Sequence, residues 1–183
     1  RLKKLEKFQD NGTYEFIIYK TLESYNYLFL NKKIKRLNES FGKLGLINNA
    51  FQNCYLNSEK TEESFLKLIN SVESDYSRYL FFYLGNLIRN KDLNKAKRIS
   101  SSTDLLSSTL LVAQAKTWID QNKFEEMKKY FSCKNENDIL GEFFFLISNL
   151  SSSQENFKYS NFYSNISNFL NPKFYFNLTL NVE

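Results

Sequence analysis

Apolar residues recur at helical spacing along most of the chain. Ile18, Leu22, Tyr25 and Phe29 fall on one face, and Phe143, Leu146, Ile147 and Leu150 repeat the i, i+3, i+4, i+7 pattern. No long segment alternates with period two. Five Gly and one Pro leave little material for the turns of a β fold. The breaks are short polar patches: "NSEKTEE" (57–63), "SSST" (100–103) and "KNEND" (134–138). The pattern predicts an all-α protein built from many short helices.

Three stretches share a further pattern: "LNKKIKRLNESF" (30–41), "RNKDLNKAKRIS" (89–100) and "QNKFEEMKKYF" (121–131). Each joins Asn-Lys to a basic, helix-like run. Their apolar anchors align at i, i+3, i+7 as Ile34/Leu37/Phe41, Leu93/Ala96/Ser100 and Phe124/Met127/Phe131, and Phe157/Ser160/Ser164 continues the series. Leu93, Phe124 and Phe157 stand 31 and 33 positions apart, and Ile34 to Leu93 is close to two such steps, which leaves room for a unit around Phe65 and Ile69. A period of this length predicts a right-handed α-solenoid of stacked antiparallel helical hairpins, with the quoted stretches as second helices.

Residues 141–174 resemble the tetratricopeptide (TPR) repeat, whose pattern is W-x2-L-G-x2-Y, then A-x3-F, then P. Phe144, Ile147, Ser148 and Ser151 stand at its first-helix places, Ser160 and Ser164 at its second-helix places, and Pro172 where the family's proline closes the repeat. In the preceding repeat Leu111, Gln114, Ala115 and Trp118 take the first-helix places, and Met127 and Phe131 the second. Before that come Leu80, Tyr83, Leu84 and Leu87, then Ala96 and Ser100. The small residues Ala115 and Ser148 sit where a hairpin's two helices must cross closely. The resemblance implies one helical-repeat domain over 1–183, with clear repeats at 77–107, 108–140 and 141–174 and degenerate ones over 13–76. A further repeat would start at 173–183, where Pro172 would open a helix carrying Phe174, Phe176, Leu178 and Leu180. The chain stops inside that apolar pattern, so a segment of a longer protein is expected, with self-association through an uncapped C-terminal end.

Charge and composition narrow the function classes. The net charge is +5, with 42% hydrophobic and 25% charged residues, as in a folded soluble protein. No run is long and apolar enough for a transmembrane helix and no targeting segment stands out, so the compartment stays open. There is no His, which removes Ser-His-Asp and Cys-His chemistry and the commonest metal ligand. No Gly-rich phosphate loop occurs. Cys54 and Cys133 lie far apart with no Cys-x-x-Cys, which suggests neither a disulfide framework nor a zinc site. Glu62/Glu63 and Glu125/Glu126 are sequence neighbours, which on a helix point about 100° apart rather than across a substrate. Asp75, Asp92, Asp104 and Asp138 lie near expected helix starts, where Asp caps backbone amides. No cofactor, metal or catalytic residue is expected.

The leading expectation is therefore a non-catalytic scaffold that binds another protein or peptide on a concave surface lined by first helices. By resemblance, the groove-facing places are Phe82, Gly85 and Arg89, then Val112, Lys116 and Asp120, then Phe145 and Asn149, and the partner-binding candidates are Phe82, Arg89, Lys116, Phe145 and Asn149. The alternative is RNA or an anionic surface held by basic second-helix faces: Lys32, Lys33, Lys35, Arg36, Lys95, Lys97, Arg98, Lys128 and Lys129. It ranks lower because a charged outer face also serves solvation.

Overall fold

The computed structural model describes residues 14–70, 78–103 and 109–177. All regular structure among them is helical: α1 (Tyr14–Asn31), a 3-10 turn (Glu39–Phe41), α2 (Gly42–Leu56), α3 (Thr61–Ile69), α4 (Arg78–Arg89), α5 (Leu93–Ser101), α6 (Leu110–Asp120), α7 (Phe124–Tyr130), α8 (Glu136–Ser153) and α9 (Phe157–Leu170). The all-α expectation holds for these residues. The chain forms two compact units, Arg1–Leu68 and Ile69–Glu183, where the sequence predicts one repeat domain.

One turn geometry recurs. Helices α2, α4, α6 and α8 each end on a left-handed residue, Asn57, Lys91, Asn122 and Glu155 (φ 55°, 64°, 56° and 59°). The following amide reaches back to close the helix: Ser58 N to Asn53 O at 2.9 Å, Asp92 N to Leu87 O at 2.9 Å, Lys123 N to Trp118 O at 2.7 Å and Asn156 N to Ser151 O at 2.9 Å. This six-residue closure satisfies the orphan carbonyls of a helix end and turns the chain at once into the next helix. Asp92 and Asn156 then cap α5 and α9 by accepting from Lys95 N and Tyr159 N. The left-handed residues are 34, 31 and 33 positions apart, so the predicted period appears as a backbone feature. It extends to α2/α3, the intervening hairpin expected around Phe65 and Ile69.

In the N-terminal unit, Tyr25, Leu28, Ala50, Phe51, Phe65 and Leu68 form the core, with Phe51 and Phe65 edge to face at 6.0 Å. The stretch 30–41 is not a second helix. After α1 the chain leaves helical geometry at Lys32 (φ 54°) and runs irregularly to the 3-10 turn. Side chains hold its backbone instead: Ser24 Oγ and Gln52 Nε2 donate to Lys35 O at 2.6 and 3.1 Å, and Gln52 Oε1 accepts from Lys35 N at 2.9 Å. Such buried bonds compete with the helix ladder and win here.

In the C-terminal unit the closest packing lies between α8 and α9, along a stripe of small residues. Ser148 Oγ donates to Ser160 O at 2.8 Å, and Ser167 Oγ donates to Gly141 O at 2.7 Å. A Cβ on Gly141 would stand 3.3 Å from both Ser167 O and Asn171 Cβ. Ser148 therefore sits at a close crossing, as its small side chain predicts. Ala115 is fully buried on α6.

Two features depart from a simple array. Arg78 at the start of α4 makes a bidentate pair with Glu142 of α8, Nε to Oε1 at 2.8 Å and Nη2 to Oε2 at 2.7 Å, and also donates to Asn177 Oδ1. This contact skips a hairpin, whereas in an open array each hairpin touches only its neighbours. Pro172, moreover, opens no helix. Residues 172–173 form a turn and 175–177 a 3-10 turn, while Phe174 is buried against Phe81 (5.6 Å), Phe82 (5.9 Å) and Phe131 (6.0 Å). The return is fixed because Asn177 Nδ2 donates to Ser167 Oγ at 3.0 Å. Leu178 and Leu180 lie outside the described residues.

Candidate functional site

The five predicted partner-binding residues do not share a surface. Phe82 is 1% exposed, enclosed by Phe131 (4.5 Å), Phe81 (5.4 Å) and Phe174. Phe145 is 6% exposed beneath the Arg78 guanidinium, which stands 4.2 Å from its ring and 5.7 Å from that of Phe82. The structure thus brings Phe82 and Phe145 together, but as core around a partly buried arginine. The resemblance left this helix face open, and the returning segment with Phe174 covers it. Val112, another groove-facing place, is also buried.

Lys116 is engaged within the fold. Its Nζ donates to Ser100 O at 3.1 Å, tying α6 to the end of α5, and pairs with Asp120 at 3.5 Å. Arg89 and Asn149 remain partly exposed, on α4 and α8. The Arg89 charge acts on Asp138 and on Lys134. Burial pushes the Asp138 carboxyl up to about 6, against the opposing pull of the Ser132 amide it accepts at 2.8 Å and of the Arg89 and Lys173 charges. Asp138 caps by accepting Ser132 N, while Asn135 is the N-cap of α8 itself. Asp75 and Asp104 lie outside the described residues.

At least four of the nine residues in the basic runs have partners nearby. Lys35 pairs with Glu23 at 2.9 Å, Lys128 with Glu125 at 2.6 Å and Lys129 with Glu126 at 2.7 Å, while Lys32 lies 4.7 Å from the Tyr55 ring centroid and bonds its hydroxyl. A surface built to collect phosphates keeps its cations available, and these four are shared with neighbouring acids and an aromatic ring.

What the sequence reasoning missed lies on α9. Phe157 was expected as a buried anchor and is 62% exposed. The buried face of α9 is Ser160, Ser164 and Ser167. At 100° per residue, Phe162 and Phe169 project almost opposite that stripe, two turns apart, and they are 56% and 84% exposed. Tyr159 flanks them, half exposed. The available signal was a helix whose small residues recur at i, i+4, i+7, leaving its aromatics on the far side. Lys158 is the only charged residue of α9.

Among the described residues no group of His, Cys, Asp and Glu is arranged to hold a metal ion, and no helix is long and apolar enough to cross a membrane. No protein-family model, no curated protein and no solved structure matches this chain.

Proposed function

We propose that the chain is a non-catalytic, TPR-like helical scaffold that holds another protein. The observation that carries this reading is the exposed aromatic line Phe162–Phe169 on α9. Single exposed apolar side chains are ordinary, but several gathered on one helix face mark an interaction surface, since burying each is worth about 1.5–3 kcal/mol. Each aromatic side chain offers about 150–250 Å². With Tyr159, the face presents on the order of 400 Å², so with its partner it buries about 800 Å² in total, the size of a weak, transient contact. A face with one lysine and no acid offers little to a polyanion and suits an apolar strip on a partner protein.

The periodic hairpin turns and the buried positions Leu84, Leu87, Ala96, Ala115, Met127, Ile147, Ser148 and Ser160 support the TPR-like part of the reading. The partner surface moves from the expected concave groove to the outward side of the last helix, because Phe82 and Phe145 are occupied by the core. RNA binding by the basic runs loses support from their ion pairs. The test is a double substitution, Phe162→Ser with Phe169→Ser, both on an exposed face and so harmless to folding. Association with the partner protein should be lost while far-UV circular dichroism and melting are kept. Undiminished association of the double variant would sink this surface.

A further inference from the structure

The N-terminal unit contains a groove between α2 and α3, floored by helix and rimmed by the 36–39 connection, with a volume of about 370 Å³. That is within the range of small-molecule sites, roughly 300–1,000 Å³. Its floor has an unusual imbalance. Asn53 is 1% exposed, and its Nδ2 donates to Asn49 O at 3.0 Å and Ser64 Oγ at 2.9 Å, which fixes the orientation of the amide. Its Oδ1 accepts nothing. Asn49 Oδ1, one turn earlier in the same lining, is likewise buried and accepts nothing. Each unmet buried acceptor costs about 1–3 kcal/mol, so the floor calls for hydrogen-bond donors.

The rim differs. Arg36 and Lys60 stand there with Glu39, and Lys67 is already neutralised by Glu63 at 2.6 Å, which leaves the rim one positive charge in excess. The ligand chemistry follows from the two together. A bare anion meets lone pairs at the floor, and an apolar ligand finds only Leu37 and Leu46. An ammonium carries three donors and no lone pair, which matches the two unmet acceptors of the floor, and a carboxylate on the same small molecule would reach Arg36 and Lys60 on the rim. We propose that this groove binds a free α-amino acid, its ammonium on Asn49 Oδ1 and Asn53 Oδ1 and its carboxylate toward Arg36 and Lys60. Both oxygens are buried, and the lining side chains Leu46 and Lys60 are exposed, so they can shift to admit a ligand at little cost. This proposal concerns α2, α3 and the connections at 36–39 and 60, and does not depend on the α9 surface.

The experiment is a thermal-shift screen of the whole chain with the common L-amino acids, followed by calorimetric titration of any that stabilise. Propionate, ethylamine and inorganic phosphate serve as probes lacking one half of the zwitterion. At least one amino acid should raise the melting temperature while the three half-probes do not. Asn49→Leu should abolish the shift, and Lys60→Ala, on an exposed residue, should weaken binding about tenfold, as loss of one charge-assisted bond implies. If Asn49→Leu fails to fold, Lys60→Ala still decides. Failure of every amino acid to stabilise the protein overturns the proposal. So do an equal response to inorganic phosphate and an effect untouched by the substitutions.

Discussion

Replacing Arg78 by Met probes the contact that ties the first and third hairpins of the C-terminal unit. The Glu142 side chain is fully buried and that of Arg78 is 16% exposed, so solvent screens the pair weakly. Arg78→Met leaves the Glu142 carboxylate without its two charged bonds and Asn177 Oδ1 without the donor it accepts from. Removing one partner of such a pair costs about 3–5 kcal/mol, because the remaining charge is neither hydrated nor matched. Domains are stable by about 5–15 kcal/mol, so the loss is large. With a urea dependence of about 2 kcal/mol per molar, the unfolding midpoint should fall by roughly 2 M. Trp118 is the only tryptophan and is buried in α6, so its fluorescence reports this unit selectively. The double variant Arg78→Met with Glu142→Leu removes both charges and should recover most of the loss, since well-packed apolar replacements of buried pairs are often neutral. A cycle in which Arg78→Met costs under about 1 kcal/mol, or in which the two changes simply add, would refute this account.

Further outcomes follow from the same geometry. Ala115→Leu and Ser148→Leu should each destabilise by about 1–3 kcal/mol through overpacking, read as a lowered melting temperature with native helix content. Lys91→Gly and Glu155→Gly should each stabilise by about 1 kcal/mol by relieving left-handed backbone, whereas Asn122→Gly should gain less because Asn tolerates that region. For Asp138 the folded value near 6 lies above the usual 3.8, so the folded state holds its proton more tightly. Stability should therefore fall as pH rises from about 4 through 6 and then level off, by on the order of 1 kcal/mol after solvent screening. Asp138→Asn should remove that slope in urea titrations run across this range.

The legible part of the fold was its local chemistry. Helical spacing gave the all-α class, and Ser148 and Ala115 marked buried positions because only small residues fit a close crossing. The 31- and 33-residue steps between anchors reappear in the positions of the left-handed turn residues. What failed depended on distant partners. The stretch 30–41 has helical periodicity, yet Ser24 and Gln52 capture its backbone. Phe82 and Phe145 were read as surface because nothing local announces that Phe174 returns to cover them. Phe157 lies within about 60° of the first serine, as the anchor pattern requires, but as the first residue of α9 it stays exposed, while Phe162 and Phe169 point away from the serine stripe. A second unanticipated feature, the unmet oxygens of Asn49 and Asn53, arises only when α2 and α3 meet.

The α9 surface is tested most directly by placing a photo-crosslinking phenylalanine analogue at Phe162 or Phe169, with Lys128 and Lys129 as control positions, in cells that make the protein. The account predicts a discrete protein adduct from both α9 positions and none from the controls. Nucleic acid captured at Lys128 or Lys129, or no protein adduct from either α9 position, would contradict it.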